Sequence, residues 1–262
     1  MRLSAKGIVQ GYSGKVILDG IDVEAESGQL VTILGPNGCA KSTLIRTLCG
    51  IRRPIGGVVE VDCEDIFSMS KKELAKRISY VPQSFTMDKY TTVYDTVLLG
   101  RKPYIECNYS KEDIMIAAEA MVSMKVDRYI DSFVGDLSGG QAQRVIIARS
   151  LTQSPEFFIF DEPTSSFDLR NQLDLMRIMR GIIREKSSCL VVAMHDLNLA
   201  MRYSDKVIVL KDGHVYDQGP PEKVITSRMV LDVYGVESEI IEGEHGFYVH
   251  SFDNDGDDMY DI

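Results

Sequence analysis

The segment from residue 30 to residue 50 restricts the fold of this chain more than any other part of the sequence. It begins with "LVTIL" (30–34), an almost wholly apolar run that is typical of a strand buried on both faces of a sheet. The glycine-rich "GPNGCAKST" (35–43) follows, and helical apolar spacing then continues to Gly50. A strand, a glycine loop and a helix in this order are the context that a phosphate-binding loop requires. The segment therefore predicts an α/β core.

This phosphate loop (35–43) departs at one position from the usual Gly, four residues, Gly, Lys, then Ser or Thr, because Ala40 replaces the second glycine. The loop would bind ATP, with Lys41 reaching the β- and γ-phosphates and the Ser42 hydroxyl ligating Mg²⁺. An alanine held at positive φ would cost about 1–2 kcal/mol, whereas one with helical φ/ψ costs almost nothing. Since Ala40 directly precedes Lys41, we expect helical φ/ψ. The candidate nucleotide-binding residues are Gly35, Pro36, Asn37, Gly38, Cys39, Ala40, Lys41, Ser42 and Thr43.

Apolar runs elsewhere predict a parallel sheet with two additions. "FFIF" (157–160) and "CLVVAM" (189–194) are short apolar runs on either side of a helical stretch, which is typical of a parallel α/β core. The residues before 30 alternate between apolar and polar, with turn signals such as Asp19-Gly20, and predict a small antiparallel sheet. Helical periodicity from about 91 to 150 predicts a helical subdomain inserted between strands.

The last part of the chain carries weaker signals. "KVIVLKDGHVYDQG" predicts a hairpin that turns at Asp212-Gly213. After Pro220 the pattern fades, and the acidic end "DNDGDDMYDI" (253–262) is typical of a disordered tail.

Composition excludes several classes of protein. The formal net charge of -10 argues against a nucleic acid as the main partner. No segment approaches the roughly 20 apolar residues that a membrane-spanning helix needs. The 5 cysteines are scattered without a Cys-x-x-Cys pair, so neither a disulfide framework nor a zinc site is indicated. Since the N-terminus also lacks the apolar stretch of a secretory signal, we expect a cytoplasmic location.

Two further motifs carry candidate chemistry. The apolar strand "FFIF" ends in Asp161 and Glu162, so one carboxylate can hold Mg²⁺ and the next can polarise a water for attack on the γ-phosphate. "LSGGQ" (137–141) places Ser138 and two glycines ahead of a helix, which makes a second anion site without a lysine. Taken singly, each motif has a simpler interpretation as a turn or a helix cap, and so has the phosphate loop.

Taken in order, these motifs resemble those of ATP-binding cassette (ABC) ATPases, over residues 2 to 220. The fold implied is a P-loop NTPase of the ABC type, with a RecA-like parallel-sheet core, an N-terminal antiparallel β subdomain and a helical subdomain at about 88–150. The implied ATPase domain covers 1–220, and 221–262 form a C-terminal extension with the acidic tail. The set comprises Tyr12, "GPNGCAKST", Gln83 in "YVPQ", "LSGGQAQR", "FFIFDEPTSSFD" and His195 in "AMHDLN".

The resemblance implies a role for each matching residue. Tyr12 would stack on adenine, and Gln83 would sense Mg²⁺ and the attacking water. Glu162 would be the catalytic base, and His195 would contact the γ-phosphate. Asp168 would close the segment that communicates across a dimer interface. The implied catalytic residues are thus Glu162, His195 and Gln83. The implied metal contacts are Ser42, Gln83 and Asp161.

The resemblance also implies a head-to-tail homodimer, since one chain carries two anion sites. Each ATP would lie between the phosphate loop of one copy and the serine–glycine loop (137–141) of the other, so that ATP closes the dimer and hydrolysis reopens it. The implied cofactors are ATP and Mg²⁺. The binding residues of the serine–glycine loop would be Ser138, Gly139, Gly140 and Gln141.

Several segments resemble importers of iron–siderophore complexes, cobalamin, haem or molybdate, namely "LLGRKPY", "SFVGDLSGGQAQRVIIARSL", "DLRNQ" and "HDLNLA". That implies two membrane-spanning permease subunits contacting about 85–109, an indirect solute-binding protein, no nucleic acid, and a location on the cytoplasmic face of the membrane. The alternatives are a non-transport ABC ATPase of the iron–sulfur assembly type and a nucleotide-binding module weakened by Ala40.

Overall fold

The computed structural model describes residues 1–12, 14–85 and 88–252. Its described strands form a mixed sheet of six strands, an antiparallel sheet of four strands and a two-stranded hairpin. The strands, in chain order, are β1 (Arg2–Tyr12), β2 (Lys15–Glu26), β3 (Leu30–Leu34), β4 (Gly56–Val61), β5 (Glu64–Asp65), β6 (Ile78–Val81), β7 (Phe157–Asp161), β8 (Cys189–Ala193), β9 (Lys206–Lys211), β10 (His214–Gly219), β11 (Glu237–Gly243) and β12 (Gly246–Phe252).

Most of the helices begin at a Ser, Thr or Asp whose side chain accepts a hydrogen bond from a backbone N–H of the first turn. These capping residues are Ser70, Thr92, Ser110, Ser138, Asp168, Asp196 and Thr226. The helices are α1 (Lys41–Leu48), α2 (Lys71–Arg77), α3 (Val93–Leu98), α4 (Lys111–Ser123), α5 (Gly139–Thr152), α6 (Leu169–Lys186), α7 (Leu197–Tyr203), α8 (Pro221–Val224) and α9 (Ser227–Tyr234), with 3₁₀ turns at Leu99–Tyr104, Asp127–Tyr129 and Val134–Asp136.

The six-stranded sheet has the order β10-β9-β3-β8-β7-β6. All of these strands pair in parallel except β10, which joins β9 as the hairpin predicted at Asp212-Gly213. Every residue of β3, β7 and β8 is buried, as the apolar runs predicted. Because parallel strands end at the same edge of a sheet, the loops that follow β3, β7 and β8 lie side by side. This edge carries the candidate site.

The predicted N-terminal antiparallel sheet is confirmed, with the order β2-β1-β4-β5. Its buried residues, such as Ile8, Leu18 and Ile21, share one apolar cluster with Leu44 and Ile45 of α1. The helix that follows the phosphate loop is therefore packed against this sheet. That packing fixes where the loop points.

The predicted helices between β6 and β7 are confirmed as α3, α4 and α5. A buried ion pair ties the 3₁₀ turn after α3 to the start of α4, since Arg101 Nε donates to Asp113 Oδ1 at 2.7 Å. Arg101 also donates to the carbonyl of Thr152 at the end of α5. One guanidinium therefore joins all three helices.

The chain after Pro220 is more ordered than its weak sequence signal indicated. Helices α8 and α9 bury Val224, Met229 and Val233 in the core, and the β11–β12 hairpin buries Val249 there. The predicted disordered tail (253–262) lies outside the described residues. In the described part of the chain, no helix is both long and apolar enough to cross a membrane.

Candidate nucleotide site

The phosphate loop is shaped by two glycines and one lysine. Gly35 has a φ of 147°, and a Cβ there would lie 2.5 Å from both Cys39 Sγ and the Leu210 carbonyl oxygen, so only glycine fits. Gly38 has a φ of 83°. The Lys41 ammonium, buried beneath the loop, donates to the carbonyls of Gly35 at 2.7 Å and Pro36 at 3.1 Å. The lysine side chain thus connects the end of the loop, at position 41, to the backbone at its beginning, at positions 35 and 36.

The prediction of helical φ/ψ for Ala40 is wrong. Ala40 has φ 79° and ψ 23°, in the left-handed region, and it precedes the first helical residue, Lys41, as an N-cap without a side-chain hydrogen bond. The helix begins at Lys41, as its spacing predicted, but the residue before it does not share the helical backbone. An alanine in this region costs about 1–2 kcal/mol.

Ser42 and Asp161 meet at the carboxyl ends of β3 and β7. The Ser42 hydroxyl donates to Asp161 Oδ1 at 3.0 Å. The carboxylate is fully buried, its Oδ2 has no hydrogen-bond partner among the described residues, and burial raises the pKa of Asp161 above its ordinary value. A buried, unpartnered carboxylate oxygen beside a hydroxyl fits Mg²⁺, which takes oxygen ligands.

Glu162 follows Asp161 in a strained backbone conformation, with a φ of 48°. Its peptide N–H donates to the Ala193 carbonyl at the end of β8, which fixes the turn between two neighbouring strands. Gln83 Nε2 donates to Glu162 Oε2 at 2.8 Å, and His195 Nδ1 lies 4.0 Å from the same oxygen. The Glu162 side chain is only 14% exposed, whereas that of His195 is 61% exposed. A partly buried carboxylate thus faces the cleft between an amide and an imidazole.

A cleft of about 360 Å³ opens at the start of α1 and is lined by Lys41, Ser42, Gln83 and Glu162, among others. A cleft that combines a helix N-terminus, an ammonium and carboxylates suits a triphosphate with its cation. Of the predicted residues, Asn37, Gly38, Ala40, Lys41, Ser42, Thr43, Gln83 and Glu162 line it, together with Ile17.

The serine–glycine loop lies elsewhere. Ser138 caps α5 in a reciprocal pair of hydrogen bonds with Gln141, and Gln141 also donates to the Tyr129 hydroxyl at 2.6 Å. Ser138, Gly140 and Gln141 line a second cleft, of about 270 Å³, with Lys125, Arg128 and Arg144. The two clefts have no lining residue in common. Within one chain, therefore, the two predicted anion sites are separate.

The other predicted residues line neither cleft, namely Tyr12, Gly35, Pro36, Cys39, Gly139, Asp161, Asp168 and His195. Asp168 caps α6, accepting from the Asn171 N–H at 2.8 Å. Tyr12 ends β1 with 37% of its surface exposed, and the Arg52 guanidinium carbon lies 3.5 Å from the centre of its ring.

A third cleft beside the phosphate loop was not predicted from sequence. It has a volume of about 480 Å³ and adjoins the loop at Pro36, Asn37, Gly38 and Cys39. Its other walls are Lys15, Val16 and Ile17 of β2 and the turn at Asp212-Gly213. Nothing in the local sequence distinguishes these positions, because they follow the ordinary pattern of a strand and a hairpin turn.

Comparison with known proteins agrees with this geometry. Residues 18–165 match the family model described as ABC transporter. An uncharacterised ABC transporter ATP-binding protein of Methanocaldococcus jannaschii is 43% identical over 92% of this chain and 94% of its own length. The ferric enterobactin transport ATP-binding protein FepC of Escherichia coli is 36% identical over 92% of this chain and 90% of its own length.

Solved structures give the same fold. A metal-chelate type ABC transporter in an inward-facing conformation superposes with a TM-score of 0.82 at 25% identity, over 95% of this chain and 96% of that one. A dimeric ATP-binding cassette bound to ADP and Pi superposes with a TM-score of 0.76 at 28% identity, over 84% and 98%. The implied fold class is confirmed, and this chain belongs to the ABC transporter family of ATP-binding proteins.

Proposed function

We propose that this chain is the ATP-hydrolysing subunit of an ABC importer for a metal chelate. The observation that carries the proposal is the convergence of Lys41, Ser42 and Glu162 on one cleft, with Gln83 bonded to the carboxylate. Lys41 binds the β- and γ-phosphates together with the N-terminal N–H groups of α1. Glu162 accepts the proton of the attacking water, and Gln83 orients its carboxylate.

Mg²⁺ fits the pair formed by Ser42 and Asp161. When bound, the ion neutralises charge that builds up on the phosphate oxygens. Gln83 would lie near the ion by way of its contact with Glu162, which completes the metal contacts implied by the resemblance. In the described residues no cluster of three His, Cys, Asp or Glu could hold a metal by itself. The ion would therefore bind together with the triphosphate.

His195 lies beside Glu162, in the loop that follows β8. Its imidazole is largely exposed and lies 4.0 Å from Glu162 Oε2, so it can donate a hydrogen bond to a γ-phosphate bound beside that carboxylate. Asp168 holds the first turn of α6 after the segment that begins at Glu162. In this proposal it transmits the state of the nucleotide toward a partner subunit.

A homodimer follows from the separation of the two anion sites. Ser138, Gly139, Gly140 and Gln141 stand at the N-terminus of α5, a helix of 14 residues whose first N–H groups can bind an anion. Their cleft holds neither the P-loop lysine nor the carboxylates, so a second copy must supply them. The dimeric relative with ADP and Pi supports this arrangement.

The importer assignment depends on the relatives. FepC is named for ferric enterobactin transport, and the structural neighbour is described as metal-chelate type. We therefore propose an iron–siderophore or a related chelate such as haem, cobalamin or molybdate as cargo, handed over by a solute-binding protein. The chain would sit on the cytoplasmic face of the membrane against two permease subunits.

The permease would contact the residues around 88–109. Tyr90 there is 82% exposed and packs edge-on against the ring of Phe133, which is 44% exposed, with centroids 6.5 Å apart. Such an exposed aromatic pair is a suitable contact for a permease loop.

The Glu162→Gln variant tests the enzymatic part of the proposal. We expect it to bind MgATP and form a dimer on a sizing column, with phosphate release at least a hundredfold slower. Glu119→Gln on the exposed face of α4 is the matched control and should behave like the parent. A variant that stays monomeric at saturating MgATP would contradict the shared site.

Co-purification tests the transport part. The chain, expressed with the genes beside its own, should purify with a permease rich in membrane spans. Purification with soluble scaffold proteins instead would favour the non-transport alternative.

A further inference from the structure

We propose that Arg52 is a positioning residue for the base of the bound nucleotide, because it holds Tyr12 in place by stacking on its ring. The inference rests on the proposed function, since it takes Tyr12 as the residue that contacts adenine. It adds a residue to the site that no sequence motif marks.

Arg52 makes two contacts with the end of β1. Its guanidinium carbon lies 3.5 Å from the centre of the Tyr12 ring, and its Nη2 donates to the Gly11 carbonyl at 2.9 Å. A Cβ at Gly11 would collide with the Lys15 carbonyl, so only glycine fits at the position whose carbonyl Arg52 binds. One side chain thus fixes both the backbone before Tyr12 and one face of its ring.

The position of Arg52 in the chain links the two halves of the nucleotide site. Helix α1 begins at the phosphate loop and ends at Leu48, and the Arg52 N–H donates to the Arg46 carbonyl at 3.1 Å in the turn that follows. The residue therefore belongs to the end of the helix whose start binds phosphate. Its guanidinium connects that helix to the strand that carries Tyr12.

The physical effect expected is pre-organisation. A tyrosine at the end of a strand, 37% exposed, loses rotamer freedom when a base stacks on it. A guanidinium on one face restricts the ring before the base arrives and leaves the stacking to the other face. A cation–π contact at a partly exposed site is worth about 0.5–1 kcal/mol, which corresponds to a roughly two- to fivefold change in affinity.

The adjacent arginine is a matched control. The guanidinium of Arg53 lies 5.0 Å from the Phe67 ring and donates to the Phe67 carbonyl at 3.1 Å. It has the same chemistry and the same kind of aromatic contact, but with a ring outside the nucleotide site. Arg53→Leu should therefore leave nucleotide affinity unchanged.

The test uses a fluorescent reporter at position 12. The chain contains no tryptophan, so Tyr12→Trp creates a single one whose emission responds to a stacked base. In that background we compare Arg52→Leu, Arg52→Lys and Arg53→Leu. MgATP binding is measured by the change in tryptophan emission. Magnesium tripolyphosphate is the probe without a base, and its binding is measured by the shift in melting temperature. Steady-state kinetics of the same Arg variants are measured with Tyr12 intact.

We expect Arg52→Leu to weaken ATP binding about two- to fivefold, with Arg52→Lys in between, since an ammonium keeps the charge but not the planar stacking. KM for ATP should rise while kcat stays the same, and tripolyphosphate affinity should not change. Equal ATP affinities in the parent and in Arg52→Leu would overturn the inference, and so would an equal loss for tripolyphosphate. If the emission of the tryptophan at position 12 does not change with ATP while ATP still raises the melting temperature, the residue at position 12 does not stack on the base. That result would overturn the inference about Arg52 but not the proposed ATPase function.

Discussion

Gln83 Nε2 donates a 2.8 Å hydrogen bond to Glu162 Oε2, which joins the loop after β6 to the loop after β7. The chain distance between the two residues is 79 positions, yet β6 and β7 are neighbours in the sheet. Gln83 also leads into the helical segment that begins at α3. A movement of those helices would therefore displace the Glu162 carboxylate through its hydrogen bond with the Gln83 amide.

Replacing Gln83 by alanine removes that donor. We expect kcat for ATP hydrolysis to fall about tenfold with little change in KM, because a misoriented base slows proton transfer more than it weakens phosphate binding. Steady-state phosphate release measures both constants. Ser84→Ala, at the exposed neighbouring position, is the control. An unchanged kcat would mean that the amide does not orient the carboxylate.

Much of this site could be predicted from sequence because its parts are local motifs at the ends of buried strands. Lys41 and Ser42 lie in the glycine loop that follows one apolar run and Asp161 directly follows another, and parallel strands bring such ends together. The backbone at Ala40 could not be predicted, since its φ depends on how the loop wraps over Lys41. Nor could the contact between Arg52 and Tyr12, which joins positions 40 residues apart with no periodic signal.

Ala40 should be replaceable by glycine with a gain in stability. The left-handed φ of 79° penalises alanine by about 1–2 kcal/mol, while glycine adds about 0.5–1 kcal/mol of unfolded-chain entropy. The net gain in unfolding free energy should be about 0.5–1 kcal/mol, measured by urea denaturation. Affinity for MgATP should change by less than tenfold, since the strain is already present before binding.

Ala118→Gly is the control for that experiment. Ala118 is exposed in the middle of α4, where glycine should instead destabilise by about 1 kcal/mol. A parent chain that cannot bind MgATP, together with an Ala40→Gly variant that can, would contradict the prediction and favour the weakened-module alternative.

The buried carboxylate of Asp161 should destabilise the nucleotide-free chain at neutral pH. Burial raises its pKa, so the folded protein holds this proton more tightly than the unfolded chain does. The contribution to stability therefore falls as pH rises from the ordinary aspartate pKa through the raised one. Asp161→Asn removes the charge and should raise the melting temperature by about 2–4 °C, which corresponds to roughly 1 kcal/mol.

In the same variant, Mg²⁺ should no longer increase the thermal stabilisation of the protein beyond that given by ATP alone. Thermal unfolding with ATP and EDTA, and then with MgATP, measures this difference. Asp131→Asn, at an exposed position, is the control and should keep it. An Asp161→Asn chain that still gains stability from Mg²⁺ would contradict the metal role, and one that is less stable than the parent without nucleotide would contradict the burial argument.

The buried ion pair between Arg101 and Asp113 should stabilise the helical segment. Contact with the guanidinium lowers the pKa of Asp113, so the stabilisation is present above the ordinary aspartate pKa and is lost as pH falls through the lowered one. Arg101→Leu leaves the carboxylate buried without its partner and should cost roughly 3 kcal/mol in urea denaturation. Lys125→Leu breaks the exposed pair with Asp174 and should cost less than about 1 kcal/mol. Equal costs for the two variants would contradict the burial argument.

Asn198 should hold the C-terminal hairpin against the helix that follows His195. Its Oδ1 accepts from the Val249 N–H at 2.7 Å and its Nδ2 donates to the Val249 carbonyl at 3.2 Å, so one amide pairs with both groups of a peptide in β12. Asn198→Ala leaves those groups unpaired, and we expect a loss of about 1–2 kcal/mol. Amide exchange should accelerate across 246–252 before it does in β8. Arg202→Ala, in the same helix, is the control variant. If amide exchange in Asn198→Ala accelerates uniformly across the whole chain, the hairpin does not open on its own.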